Sequence, residues 1–91
     1  MVDAMPVLKV LILTQQDCRS CEMAKTLLER LAREYPLAIS TLAIDSREGQ
    51  AFAQEGGILF PPGIFIDGAP LSYGRPSEGR IRREIESRLA R

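Results

Sequence analysis

Cys18 and Cys21 are the two cysteines of the sequence, and the segment Cys18-Arg19-Ser20-Cys21 has the chemistry to open and close a disulfide. A nearly unbroken apolar run of strand length, residues 8–13, precedes them. Apolar residues at helical spacing follow them: Ala24, Leu27, Leu28 and Leu31. The pair therefore lies at or just before the first turn of a helix, where unpaired N–H groups and the helix dipole favour negative charge. Because helix N-termini lower the pKa of a cysteine thiol from about 8.5 to roughly 3.5–7.5, and the thiolate is the reactive form, the spacing predicts a redox-active dithiol.

Length and charge limit the classes of protein to which the chain can belong. Its 91 residues, 45% apolar and 26% charged, predict one globular domain over residues 1–91. Twelve basic and twelve acidic residues cancel, so bulk charge predicts neither a nucleic-acid partner nor an anionic membrane partner. The N-terminus lacks the basic start and long apolar segment of a signal peptide or a membrane span. We therefore expect a cytoplasmic location, where a lone CxxC pair is typical of redox chemistry rather than of a permanent disulfide.

The remaining hydrophobic and turn patterns predict alternating strands and helices. After a loose arm at residues 1–6, strands are expected at 7–14, 37–44, 64–66 and 69–73. Helices are expected from Cys18 or Ser20 to Glu34, over residues 47–54, and after a cap at Ser77. The first half needs a parallel strand pair, whereas Asp67-Gly68 predicts an antiparallel hairpin in the second half. The result is an α/β fold, β-α-β-α-β-β-α, with a four-stranded mixed sheet flanked by helices and the cysteines beyond the carboxyl end of the first strand.

Three segments carry a family resemblance: Cys18-Arg19-Ser20-Cys21, Gly57-Ile58-Leu59-Phe60-Pro61-Pro62 and Ile64-Phe65-Ile66-Asp67-Gly68. Together they resemble the thioredoxin fold at its minimal, glutaredoxin-like size, and the resemblance covers nearly the whole chain. The family places a cis-proline facing the cysteines a few residues after a Gly-Ile pair, and Pro62 takes that position. The family's first cysteine is an exposed nucleophile and its second a buried resolving thiol, which implies those roles for Cys18 and Cys21.

Several positions depart from the usual thioredoxin and glutaredoxin patterns. Ile12 stands where thioredoxins keep a buried acid, and Gln15 and Gln16 stand where many glutaredoxins place a lysine that binds glutathione. In the family, the residue before the cis-proline offers both its N–H and its C=O to a bound peptide or glutathione. Pro61 has no N–H, so one hydrogen bond worth on the order of 1 kcal/mol is missing. We expect glutathione to be a poor electron donor.

The residues next to the cysteines and before the third strand have both a functional and a purely structural interpretation. Arg19 and Ser20 could stabilise a Cys18 thiolate by charge and hydrogen bonding, or could simply be exposed polar residues at a helix start. Pro61 and Pro62 would form a wall of the substrate groove, or only a rigid entry to a strand.

The second half of the chain holds further candidates. Phe60 and Tyr73 could line an apolar groove, although aromatic residues of a hairpin are more often part of the core. Gly74, Ser77 and Glu78 fall where glutaredoxins bind the far end of glutathione, and they equally suit simple capping of the last helix.

Other interpretations of the cysteine pair stay open. It could be a static structural disulfide, although so small a loop constrains the unfolded chain little. It could bind metal: two sulfurs without any histidine cannot complete a zinc site, but a dimer could bridge an iron–sulfur cluster with four cysteines. A copper-chaperone-like module also has one CxxC, but it would lack a helix between its second and third strands.

We therefore expect a thiol–disulfide oxidoreductase in which Cys18 attacks the disulfide of a protein or small molecule and Cys21 resolves the mixed disulfide. Its partners would be that substrate and a thiol or reductase that donates electrons, and we expect a monomer with no cofactor and no metal. The alternative is a non-enzymatic module of the same fold that binds a metal, an iron–sulfur cluster or a partner protein.

Overall fold

Seven strands and helices follow one another in the computed structural model, which describes residues 6–90. They are β1 (Leu8–Thr14), α1 (Arg19–Leu31), β2 (Leu37–Ala43), α2 (Arg47–Gly56), β3 (Gly63–Ile66), β4 (Ala69–Tyr73) and α3 (Glu78–Leu89). This order confirms the predicted β-α-β-α-β-β-α succession, and α2 is the helix that a copper-chaperone-like module would lack. Residues 1–5 of the predicted N-terminal arm lie outside the described residues.

The four strands form one mixed sheet in the order β2-β1-β3-β4. β1 is parallel to β2, antiparallel to β3, and β3 is antiparallel to β4, as the sequence patterns predict. Leu13 near the end of β1 pairs with Gly63 at the start of β3, and Gly63 pairs with Tyr73 at the end of β4. The segments that follow β1, precede β3 and follow β4 therefore meet at one edge of the sheet.

The two faces of the sheet are covered by different helices, because successive residues of a strand point to opposite faces. Leu8, Val10 and Ile12 pack in one core with buried residues of α1 and α3: Ala24, Leu27, Leu28, Leu31, Ile81 and Ile85. Leu13 and Phe65 are buried on the opposite face, where the Phe52 ring of α2 meets Phe65 edge-on at 5.3 Å. β1 is thus apolar on both faces, as expected of a central strand. Packing on both faces fixes the position of its carboxyl end.

Helix α1 ends at Leu31 rather than at the predicted Glu34. Beyond Leu31 the hydrogen-bond spacing shortens from four residues to three: the N–H of Glu34 donates to the C=O of Leu31 at 2.9 Å. Tyr35 precedes Pro36, and a residue before proline is disfavoured in the helical region. The last predicted turn is therefore a tight turn into β2.

A cluster of charges joins the end of α1 to α3. Arg82 contacts Glu34 at 2.7 Å and Glu78 at 3.0 Å, and Arg30 donates two hydrogen bonds to Glu78 at 2.9 and 3.2 Å. Hydrogen bonds from Arg30, and then from Arg82, lower the pKa of Glu78 from 4.5 to about 2. A hydrogen bond from Arg82 also lowers the pKa of Glu34. Because these side chains are partly exposed to solvent, each ion pair between α1 and α3 contributes little to stability.

Candidate active site

The two cysteines are joined in a disulfide at the start of α1. Cys18 is the N-cap residue, with an extended backbone (φ −114°, ψ 104°), and α1 begins at the next residue, Arg19. One helical turn brings the Cα atoms of Cys18 and Cys21 to 5.2 Å from each other. The predicted position of the pair at the first turn of a helix, beyond the carboxyl end of β1, is therefore confirmed.

The two cysteines differ in exposure. Cys18 is partly exposed, whereas Cys21 lies within the helix and is 0% exposed. In this oxidised state an incoming thiol can therefore approach Cys18 but not Cys21.

Two polar groups lie near the sulfur of Cys18. The backbone N–H of Cys21 donates to Cys18 Sγ at 3.1 Å, which satisfies one of the N–H groups left open by the first helical turn. The hydroxyl of Ser20 lies 3.9 Å from the same sulfur. Hydrogen-bond donors at these places favour the charged form of a thiol once the disulfide is reduced.

The peptide bond between Pro61 and Pro62 is cis, as the family resemblance implies for Pro62. Pro62 is buried, Pro61 is half-buried, and the N–H of Gly74 donates to the C=O of Pro62 at 2.9 Å. Pro62 directly precedes Gly63, which pairs with Leu13 in the sheet. The proline therefore lies at the same edge of the sheet as the end of β1, from which the chain continues to Cys18.

A pocket beside the first turn of α1 is lined by Arg19, Ser20, Met23 and Arg75. The sequence interpretation singled out Arg19 and Ser20 but missed Arg75. The sequence indicated Arg75 only indirectly. Arg75 comes two residues after the end of β4, and the sheet register places the end of β4 beside the start of β3, at the same end of the sheet as the cysteines.

The aromatic pair of this edge is exposed rather than part of the core. Phe60 is 54% exposed and Tyr73 39% exposed, and their rings meet edge-on with centroids 5.1 Å apart. The usual expectation that hairpin aromatics are core is wrong here. Both side chains flank the segment that carries the two prolines, because Tyr73 pairs with Gly63.

Ser77 caps the last helix, and Glu78 is already paired. Ser77 Oγ accepts a hydrogen bond from the N–H of Arg80 at 3.3 Å, and the Glu78 carboxylate is held by Arg30 and Arg82. In this structure Ser77 therefore acts as the cap of α3, and the Glu78 carboxylate is occupied by ion pairs.

Within residues 6–90, no three side chains of His, Cys, Asp or Glu lie close enough together to hold a metal ion. In the same part of the chain, no helix is long and apolar enough to cross a membrane.

Comparison with known proteins finds thioredoxins by sequence and by structure. The thioredoxin of Methanocaldococcus jannaschii is 32% identical to this chain over 85 residues, which cover 93% of this chain and 100% of that protein. A mutant thioredoxin from Halobacterium salinarum NRC-1 is similar in structure, with a TM-score of 0.65 and 26% identity, covering 88% of this chain and 73% of that one. The oxidised mitochondrial thioredoxin 3 of Saccharomyces cerevisiae has a TM-score of 0.67 at 18% identity, covering 88% and 77% of the two chains, and its likeness concerns the fold alone. No family model matches the sequence.

Proposed function

Because the chain belongs to the thioredoxin family of thiol–disulfide oxidoreductases, we propose that Cys18 is its attacking thiolate and Cys21 its resolving thiol. The observation that supports this assignment is the difference in exposure between the two joined cysteines, of which only Cys18 is accessible to solvent. Cys18 also has the better electrostatic setting, since the N–H of Cys21 is directed at its sulfur.

In the first step, the Cys18 thiolate attacks one sulfur of a substrate disulfide. The substrate S–S bond breaks, a mixed disulfide forms between Cys18 and the substrate, and the second substrate sulfur leaves as a thiolate that takes up a proton. The partly exposed position of Cys18 leaves room for the second sulfur chain of this intermediate.

In the second step, Cys21 loses its proton and attacks Cys18 Sγ. The mixed disulfide breaks, the substrate leaves with its second thiol, and the Cys18–Cys21 disulfide forms, which is the state seen in the structure. Two electrons and two protons have then passed from the protein to the substrate. Burial suits Cys21 to this role, because its one accessible partner is the neighbouring sulfur one helical turn away.

The residues around the pair would bind the substrate on two sides. Pro61 and Pro62 form the wall on the side of β3, and the C=O of Pro61, which has no N–H of its own, can accept one backbone hydrogen bond from an extended substrate. Arg19 and Ser20, in the first turn of α1, form the opposite side, where the Ser20 hydroxyl can also donate towards the Cys18 sulfur.

The substrate in this proposal is a disulfide-containing protein or small molecule, and the electrons come from a reductase or a small thiol. A reducing compartment such as the cytoplasm suits a pair that must be returned to the dithiol after each turnover. One chain contains both sulfurs that the cycle needs, so a monomer is sufficient.

The test is the reduction of insulin disulfides with dithiothreitol as electron donor, which requires no knowledge of the natural reductase. We expect Cys18→Ser to reduce the rate to that of the uncatalysed reaction, because the one remaining thiol, Cys21, is buried and cannot reach the substrate. Cys21→Ser should also stop turnover but should accumulate a mixed disulfide between Cys18 and insulin, visible by mass spectrometry without reductant.

A matched control is Ser87→Ala, an exposed residue of α3 outside the site, which should turn over at the wild-type rate. The proposal is wrong if the wild type is as inert as Cys18→Ser. The division of roles is wrong if the mixed disulfide accumulates in Cys18→Ser and not in Cys21→Ser.

A further inference from the structure

Two arginines from distant parts of the sequence line one pocket beside the disulfide. Arg19 follows Cys18 directly in α1, and Arg75 comes from the loop after β4. Both side chains are exposed, and Ser20 and Met23 complete the lining. Among residues 6–90, no carboxylate contributes to this pocket.

The backbone explains why Arg75 lies there. The N–H of Gly74 donates to the C=O of Pro62 at 2.9 Å, so the chain that leaves β4 is held against the cis-proline segment. The next residue, Arg75, then shares a pocket with the first turn of α1. Arg75 therefore lies between the Pro61-Pro62 segment and the first turn of α1. In the proposed function, a substrate bound to Cys18 would contact this place.

In the residues that the structure describes, the two guanidinium groups are not paired directly with carboxylates, although Arg19 also lines the adjoining groove with Glu22 and Glu78. In the adjoining groove along α1, Glu22 is paired with Lys25 at 3.2 Å, and Glu78 with Arg30 at 2.9 Å. Within the described part of the chain, neither Arg19 nor Arg75 is within 4.0 Å of a carboxylate. The chain as a whole has no net charge, so this excess of two positive charges belongs to the site rather than to the surface in general.

We propose that Arg19 and Arg75 form a cationic recognition site that selects substrates with an acidic residue next to the disulfide. The inference rests on the proposed function, because it concerns the substrate that Cys18 attacks. Guanidinium groups hydrogen-bond carboxylates in a charge-assisted, often bidentate manner. Met23, which lines the same pocket and is 41% exposed, offers an apolar contact for the stem of a glutamate.

The test uses three peptides, each closed by one disulfide and differing only in whether Glu, Gln or Lys stands beside each cysteine. The rate at which the reduced protein opens each disulfide is measured in a single turnover. At low ionic strength we expect the Glu peptide to react about three- to tenfold faster than the Lys peptide, the range for one or two exposed ion pairs. The ratio should fall towards one in about 1 M salt, where the Debye length shrinks to about 3 Å.

Charge-changing variants assign the preference to the arginines. Arg75→Gln should bring the Glu-to-Lys ratio closer to one, and an Arg19→Glu, Arg75→Glu double variant, which turns the two positive charges into two negative ones, should reverse the preference, which a folding defect cannot do. Arg33→Gln, an exposed arginine beyond the far end of α1, should keep the wild-type ratio. The ratio cancels any effect of the arginines on the reactivity of Cys18 itself, since every peptide meets the same thiolate.

The outcomes separate this inference from the function on which it rests. If the wild type opens all three peptides at equal rates, or if an Arg19→Gln, Arg75→Gln double variant keeps the wild-type ratio, the recognition site is wrong and the oxidoreductase stands. If the wild type opens none of the peptides and Cys18→Ser behaves identically, the proposed function fails and the inference fails with it.

Discussion

Gly49 of α2 offers a sharp test of the structure because its backbone approaches β2 too closely for any side chain. A Cβ atom built on Gly49 would overlap the carbonyl oxygen of Ala43 and lie 2.9 Å from its carbonyl carbon. The approach is set by the helix cap: Ser46 Oγ accepts from the N–H of Gly49 at 3.0 Å and donates to the C=O of Ala43 at 2.7 Å. Because the obstacle is backbone, Gly49→Ala requires the helix start to move.

A second glycine near a helix start, Gly79 of α3, is the matched control. Its Cβ would meet only the end of the flexible Arg83 side chain, at an ordinary 3.4 Å. Replacing glycine by alanine inside a helix contributes up to about 1 kcal/mol through helix propensity. Gly79→Ala should realise part of this gain. In Gly49→Ala it is opposed by an overpacking cost of about 1–3 kcal/mol or more, so we expect a net loss of roughly 1–2 kcal/mol.

The assay is thermal and urea unfolding of both variants beside the wild type. In a domain of this size each kcal/mol shifts Tm by about 4–8 °C, so Gly49→Ala should melt roughly 4–16 °C lower. Gly79→Ala should melt a few degrees higher, and the urea m-value should not change in either variant. A Gly49→Ala protein that melts at or above the wild-type temperature would refute the contact between α2 and the end of β2.

Two further predictions concern the electron donor and the behaviour in acid. Pro61→Ala restores the missing N–H before Pro62, so we expect reduction of the oxidised protein by glutathione to become about fivefold faster, the equivalent of about 1 kcal/mol; an unchanged rate in a coupled glutathione reductase assay would contradict this. The pKa of Glu78, about 2 in the folded protein, is depressed from 4.5, so its carboxylate stabilises the fold above about pH 4.5 and loses this effect as the pH falls towards 2. Glu78→Gln should therefore lower the urea midpoint at neutral pH and have a smaller effect near about pH 2.5; equal effects at both pH values would show that the charge pairing is not the cause.

Local rules were enough to predict the elements and the reactive pair. A strand-like run before the cysteines and helical spacing after them predict a helix start at the pair, and Cys18 is indeed the N-cap of α1. Ser77 is the predicted cap of the last helix, and it accepts a hydrogen bond from the N–H of the third residue beyond it. The Asp67-Gly68 turn adopts the positive φ angles that this dipeptide tolerates, 49° and 84°. The helix start, the cap and the turn each depend on residues within about four positions of one another, so they can be predicted from the sequence alone.

The sequence could not predict which exposed side chains meet at the active edge. Phe60 and Tyr73 look like core residues in the chain, yet they pair on the surface because the sheet register places the end of β4 beside the start of β3. Arg82 contacts Glu34 across a separation of 48 residues, a pairing that no local pattern contains.

By itself, then, the sequence determined a CxxC pair at the positive end of a helix, in an α/β domain with a proline before its third strand. The family resemblance already implied that Cys18 is exposed and Cys21 buried, as the structure has them, but only the tertiary structure decided that Arg75 joins Arg19 beside them. The physical reason is that hydrogen bonding and hydrophobic periodicity act over a few residues, whereas exposure and charge neighbours depend on how separate strands and helices pack.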